Sequence, residues 1–197
     1  MDRIYEEQYG QLALTNILAS VWLGDWDRYE VIFRNMDDGL KANFPFHAEY
    51  NREDVELWYE NHFFIPGDYF LSPYYSSYIG NNGDSEERKK NLLCLIGLYE
   101  KMGFHFPLEQ NLYPDHIGCI MAFIGAIQQE KLKSIQNNEM MNSLKRIEQE
   151  MIMNYILPVV KVINENEINK VQIPFFKGFL PYFQEFLIQE YSIYKEM

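Results

Sequence analysis

The sequence contains no run of about 18 apolar residues, which excludes a helical membrane span. It is also short of cysteine and of positive charge: two Cys and 17 Lys+Arg stand against 29 Asp+Glu, for a formal net charge of -12. Cys94 and Cys119 have apolar neighbours at helical spacing and no second Cys or His at metal-ligand spacing, so both are expected to be buried free thiols. There is no glycine-rich phosphate loop, Gly-x-Ser-x-Gly, His-Glu-x-x-His or Cys-x-x-Cys. His47, His62, His105 and His116 nowhere pair at i, i+4, the spacing that puts two imidazoles on one helical face. No enzyme class or metal site is indicated. A basic n-region is missing as well, because the chain starts Met-Asp-Arg-Ile-Tyr-Glu-Glu, and a cytoplasmic protein is expected.

What is present is a core. At 47% hydrophobic residues and a mean hydropathy of -0.34, the chain suits one compact domain, expected to span residues 1–197. Apolar residues recur at spacings of three and four, as in Ile4, Leu12, Ile17 and Val21, or Leu92, Leu95, Ile96 and Tyr99, and strand-like alternation is nearly absent. The expected fold is therefore all-α, a single-domain helical bundle. Helices are expected from Asp2 to Leu23, after the Gly24-Asp25 break to about Leu40 with Pro45 closing the pair, and from an Asn51 cap to Ile65. Ser85 is expected to cap a helix ending at Gly103, Pro114 to open one running to about Lys133, and a polar stretch near Gln136-Asn-Asn138 to precede a long one toward Leu157. Pro158 is expected to kink that helix or start the next piece, and a last helix follows Pro174.

Acid is concentrated at the front. Residues 1–60 hold 13 Asp/Glu against 5 Lys/Arg, a balance of -8, and the remainder holds 16 against 12, a balance of -4. Such a field repels nucleic acid and anionic lipid and steers a basic partner, although acidity alone also serves solubility.

Two segments break the helical pattern. From Pro66 to Asp84 the punctuation Pro66-Gly67, Ser72-Pro73 and Gly80-Asn-Asn-Gly83 marks a long loop, and Tyr69, Phe70, Leu71, Tyr74, Tyr75 and Tyr78 give it an aromatic character that disorder does not need. Tyr side chains are common on recognition surfaces, and they also fold a loop over its own core. The second segment is Tyr-Pro-Asp-His-Ile-Gly at 113–118. Pro114 suits the first helical position and Asp115 the positive end of the helix dipole, where His116 should stay neutral. The pair is placed to receive a polar or cationic group, but a helix cap with a satisfied core histidine explains the same residues.

In these two blocks the chain resembles the TorD/DmsD family of cytoplasmic molybdoenzyme chaperones, relatives of the NarJ group. The family pattern, approximately Tyr-x-x-Leu-Phe-x-Gly-Pro-Gly, a spacer and Pro-Pro-Trp-x-Ser-x-Tyr, is met by Tyr59, Phe63, Pro66, Gly67, Pro73, Ser76 and Tyr78. His62, Ile65, Ser72 and Tyr74 depart from it. The second block matches at Asp115, His116, Ile117, Gly118 and Phe123, with Leu112 and Ile120 where the family often has glutamate. The resemblance implies a chaperone without catalysis that binds the twin-arginine signal peptide of a molybdopterin-containing oxidoreductase while cofactor is inserted. It also implies domain-swapped homodimers in some members and an association with guanine nucleotide in parts of the family. On this resemblance Tyr59, Phe63, Pro73, Tyr74, Tyr75 and Tyr78 are expected to form an apolar wall. Pro66 and Gly67 would set the loop's path, Ser76 belongs to the motif, and Pro114, Asp115 and His116 would supply the polar contacts.

Overall fold

The computed structural model describes residues 2–78, 85–105 and 112–191, and among these the regular structure is all helical, joined by turns and loops, with one isolated bridge. Helix α1 (Asp2–Leu23) ends in a left-handed glycine, Gly24 at φ 65°. The Asp25 N–H closes onto Ser20 O at 2.9 Å and the Gly24 N–H onto Val21 O at 3.2 Å, which satisfies the helix's last carbonyls. Asp25 then caps α2 (Trp26–Asn35) by accepting from the Arg28 N–H, so two adjacent residues end one helix and begin the next.

The expected continuation to Leu40 does not occur. Met36 is extended at ψ 140° and the Asp37 carboxylate, accepting from the Gly39 N–H at 2.8 Å, starts a separate short helix, α3 (Asp38–Lys41). A short side chain that bonds its own backbone competes with helix propagation. Pro45, expected only as a stop, opens a 3₁₀ turn (Pro45–Glu49) that lays the buried Phe46 against Gly178 of the last helix.

Asn51 caps α4 (Arg52–Tyr59) through the Asp54 N–H, and the helix continues as a wider π turn, Glu60–Phe64. Helix α5 (Ser85–Lys101) ends at Gly103, φ 65°, with the same paired closure as α1. It turns Leu95 and Tyr99 inward, which leaves Cys94, one residue or about 100° away, exposed rather than buried as expected. Helix α6 (Ile117–Lys133) is the buried axis of the molecule, and the π turn Ile152–Ile156 joins α7 (Asn138–Met151) to α8 (Leu157–Val162). Pro158 cannot donate a backbone hydrogen bond, and the widened turn lies directly ahead of it. Helix α9 (Pro174–Tyr191) completes the described chain.

Helices α1 and α6 run antiparallel. A Cβ on Gly118 would fall 2.6 Å from the Leu23 side chain, and one on Gly125, two turns later, would meet Asn16, Thr15 and Leu12. Small residues at those two positions let the two helices approach closely. Around the pair lies an aromatic core in which Trp22 and Trp26 contact Tyr59, Phe63, Phe175, Phe176, Phe179 and Phe183, with α9 supplying the four latter rings. At the other end of α6, Lys131 is paired with Glu148 at 2.7 Å in a buried site that Gln128 and Tyr191 complete.

Candidate functional site

The two unusual sequence blocks meet in space. Tyr74 and His116 form the isolated antiparallel bridge: the Tyr75 N–H donates to Asp115 O at 3.1 Å and the Ile117 N–H to Pro73 O at 2.9 Å. Asp115 Oδ2 accepts from the Ser76 N–H at 2.9 Å, which ties the carboxylate into the 3₁₀ turn Tyr75–Ser77. Tyr99 of α5 adds a third strut by donating to Pro114 O at 2.8 Å. The loop is further closed by Tyr78 Oη on Ser72 O and by the Leu71 N–H on His62 O. The His62 ring stacks on Trp58.

This clamp displaces the start of α6. Pro114 lies in the preceding turn rather than at the first helical position, and Asp115 is not in the helix's first turn. Residues 114 and 115 form a turn closed by the His116 N–H on Tyr113 O, and the bridge holds His116 extended, so the helix begins at Ile117 with His116 as its cap, the ring Nδ1 accepting from the Gly118 N–H at 3.0 Å. His116 is 1% exposed, and burial pushes its imidazole down to about 3 from an ordinary 6.5, which keeps the ring neutral. The proton therefore sits on Nε2. Asp115 is 4% exposed. Burial, reinforced by the Asp115 carboxylate, pushes the thiol of Cys119 up to about 12, where it is a poor nucleophile.

The motif residues thus divide. Tyr59, Phe63, Pro73, Pro114, Asp115 and His116 are buried; Tyr74, Tyr75, Ser76 and Tyr78 are half-buried; Pro66 and Gly67 are exposed. Tyr59 donates from its hydroxyl to Trp22 O at 3.0 Å and packs over Gly24, where a Cβ would fall 2.6 Å from its ring. It seals the end of α1 while its edge faces a pocket.

That pocket, about 290 Å³, is lined by Leu23, Gly24, Trp26, Tyr59 and Leu112 together with Glu56, Glu60 and Phe64. The last three are spaced four apart along α4 and its π turn, so they share a face. Phe64 is 62% exposed, and Leu57, at i and i+7 with it, is 60% exposed. Just beyond Leu112, Tyr113 is 66% exposed and its ring meets that of Tyr74 edge-on at 6.0 Å. Apolar surface and carboxylates therefore border one opening. None of Glu56, Leu57, Glu60 or Phe64 was singled out from the sequence, and Tyr113 entered only as the first residue of the 113–118 segment, although the four-residue spacing of Glu56, Glu60 and Phe64 was a readable signal.

Among the described residues no helix is long and apolar enough to cross a membrane, and no group of three His, Cys, Asp or Glu is placed to hold a metal. No curated protein and no solved structure matches the chain. The family model described as "Nitrate reductase delta subunit" matches residues 33–161, more than half the chain, a span that takes in both blocks of the clamp and the pocket-lining face of α4. The chain belongs to the nitrate reductase delta subunit family, a NarJ-related family of chaperones that mature molybdoenzymes.

Proposed function

We propose that this protein is a cytoplasmic chaperone without turnover of its own that binds the twin-arginine leader of a molybdopterin oxidoreductase in the opening beside α4, and so delays export until the cofactor is in place. The observation that carries this reading is the juxtaposition of Glu56 and Glu60 with exposed Phe64 around a pocket walled by Leu23, Trp26, Tyr59 and Leu112. A leader of this kind presents a basic segment followed by an apolar one, and needs carboxylates beside an apolar groove. Where the TorD/DmsD pattern often has a glutamate this chain has Leu112, and the acid comes instead from α4.

In this arrangement Pro73, Tyr74, Tyr75, Ser76, Tyr78, Pro114, Asp115 and His116 act mainly by holding the two halves of the wall together. Tyr74 and Tyr113 extend the apolar surface beyond the pocket mouth. Pro66 and Gly67 shape the exposed corner that follows Phe64. The interior carboxylate of Asp115 is engaged by Ser76, so leader arginines are read by Glu60 and Glu56 at the surface.

Isothermal titration tests this with a synthetic twin-arginine leader from a molybdoenzyme encoded beside the protein, and a twin-lysine control. Binding weakened tenfold or more by the lysine swap, about 1.4 kcal/mol, is expected. Glu60→Gln and Phe64→Ala should each weaken the arginine peptide while leaving the thermal melt in place. Equal affinity for a leaderless enzyme would show instead that the chain grips the folded partner.

A further inference from the structure

Arg52, the first residue of α4, stands among three carboxylates. Its Nε donates to Glu56 Oε2 at 2.8 Å, and its Nη1 lies 3.0 Å from Asp27 Oδ1 and 3.7 Å from Glu30 Oε1. Tyr50 Oη donates to the same Glu30 oxygen and so helps hold that acid. Exposed pairs of this kind contribute little to folding, between about 0 and 1 kcal/mol. The cluster is, however, a ready-made guanidinium site, since planar N–H groups meet carboxylates from two helices.

Glu56 belongs both to this cluster and to the pocket beside α4, while Glu60, one turn on and also in the pocket, makes no ion pair among the described residues. Of the two carboxylates at the pocket, Glu56 already gives one oxygen to the protein's own arginine, and Glu60 is open. We propose that Arg52 is an internal competitor for the leader, so that the first arginine of a twin-arginine pair meets Glu60 and the second gains both oxygens of Glu56, the bidentate fork, only by displacing Arg52. The inference rests on the leader-binding reading above.

Two consequences follow from the chemistry. Exchanging one arginine–glutamate pair for another is nearly neutral in energy, so the second arginine adds little net affinity and the leader stays releasable once maturation is complete. A lysine lacks the planar fork and matches Arg52 poorly, so Arg52 sharpens the choice of arginine over lysine. Removing it should therefore tighten binding and blunt that choice together.

The test compares wild type, Arg52→Gln and Arg52→Lys by isothermal titration with the twin-arginine and twin-lysine leader peptides at low and moderate salt, after thermal melts confirm folding. Deleting one positive charge several ångströms from the incoming cation should tighten the twin-arginine peptide by about threefold at low salt. Arg52→Gln should also narrow the arginine-to-lysine ratio, with Arg52→Lys falling between it and wild type. Equal or weaker binding by Arg52→Gln, with wild type still binding the leader, would mean that Arg52 merely positions Glu56, and would overturn the competitor role alone. Wild type that binds neither peptide would overturn the leader reading and this inference with it.

Discussion

His116 should make the protein lose stability in mild acid, by an amount that can be worked from its burial. The ring is neutral in the folded state, where its pKa falls to about 3, and near its ordinary 6.5 when the chain unfolds. Between these values the unfolded chain binds more protons, so stability is full above about pH 6.5 and falls as the pH drops toward 3. At pH 5 the loss amounts to about 2 kcal/mol, since the slope approaches 1.4 kcal/mol per pH unit below 6.5. The local chemistry agrees in sign: a proton on Nδ1 would face the Gly118 N–H that this nitrogen now accepts, and would add positive charge at the start of α6. Urea unfolding of wild type and His116→Asn from pH 7.5 to pH 5 measures it, because an asparagine oxygen can keep the cap without the titration. His47, also pushed down by burial and then by Lys41, is present in both proteins and drops out of the difference. Wild type should lose about 2 kcal/mol relative to the variant across that range. Parallel pH profiles would refute the reasoning.

Gly118→Ala should cost about 1–3 kcal/mol through the contact with Leu23, and the added Leu23→Ala change should recover part of it, a coupling that a double-mutant cycle reads directly. Lys131→Met should destabilise by about 3–5 kcal/mol because it strands the buried Glu148, with the amide of Gln128 and the hydroxyl of Tyr191 limiting the loss; chemical denaturation at pH 7 measures it.

The clamp between the two blocks explains why so much of the shared motif is buried. Short apolar walls on a loop need a rigid frame, and residues 73–78 obtain one from two backbone bonds and one carboxylate across a separation of about forty residues. The same frame fixes Leu112 next to the face of α4 and Tyr113 beside Tyr74, so the pocket depends on Asp115 and His116 even though neither lies among its lining residues.

Helix class and most helix ends were legible in the sequence, for a local reason. Apolar spacing of three and four reports a helix's buried face, and Gly24-Asp25, Asn51 with Asp54, and Gly103 terminate or start helices through bonds to backbone groups within a few residues. The family resemblance was likewise carried by two short blocks. Only the tertiary structure decided what those blocks do to each other, that Asp115 turns inward to Ser76, that α6 starts at Ile117, and that Cys94 faces out. It also brought Leu112 beside Glu56 and Glu60 and set Arg52 among acids from two helices. Most of those outcomes rest on hydrogen bonds and contacts between residues roughly 25 to 55 positions apart, which no local spacing rule encodes. Caps and periodicity are properties of a short window of chain, whereas a pocket and its charge are properties of how distant windows pack.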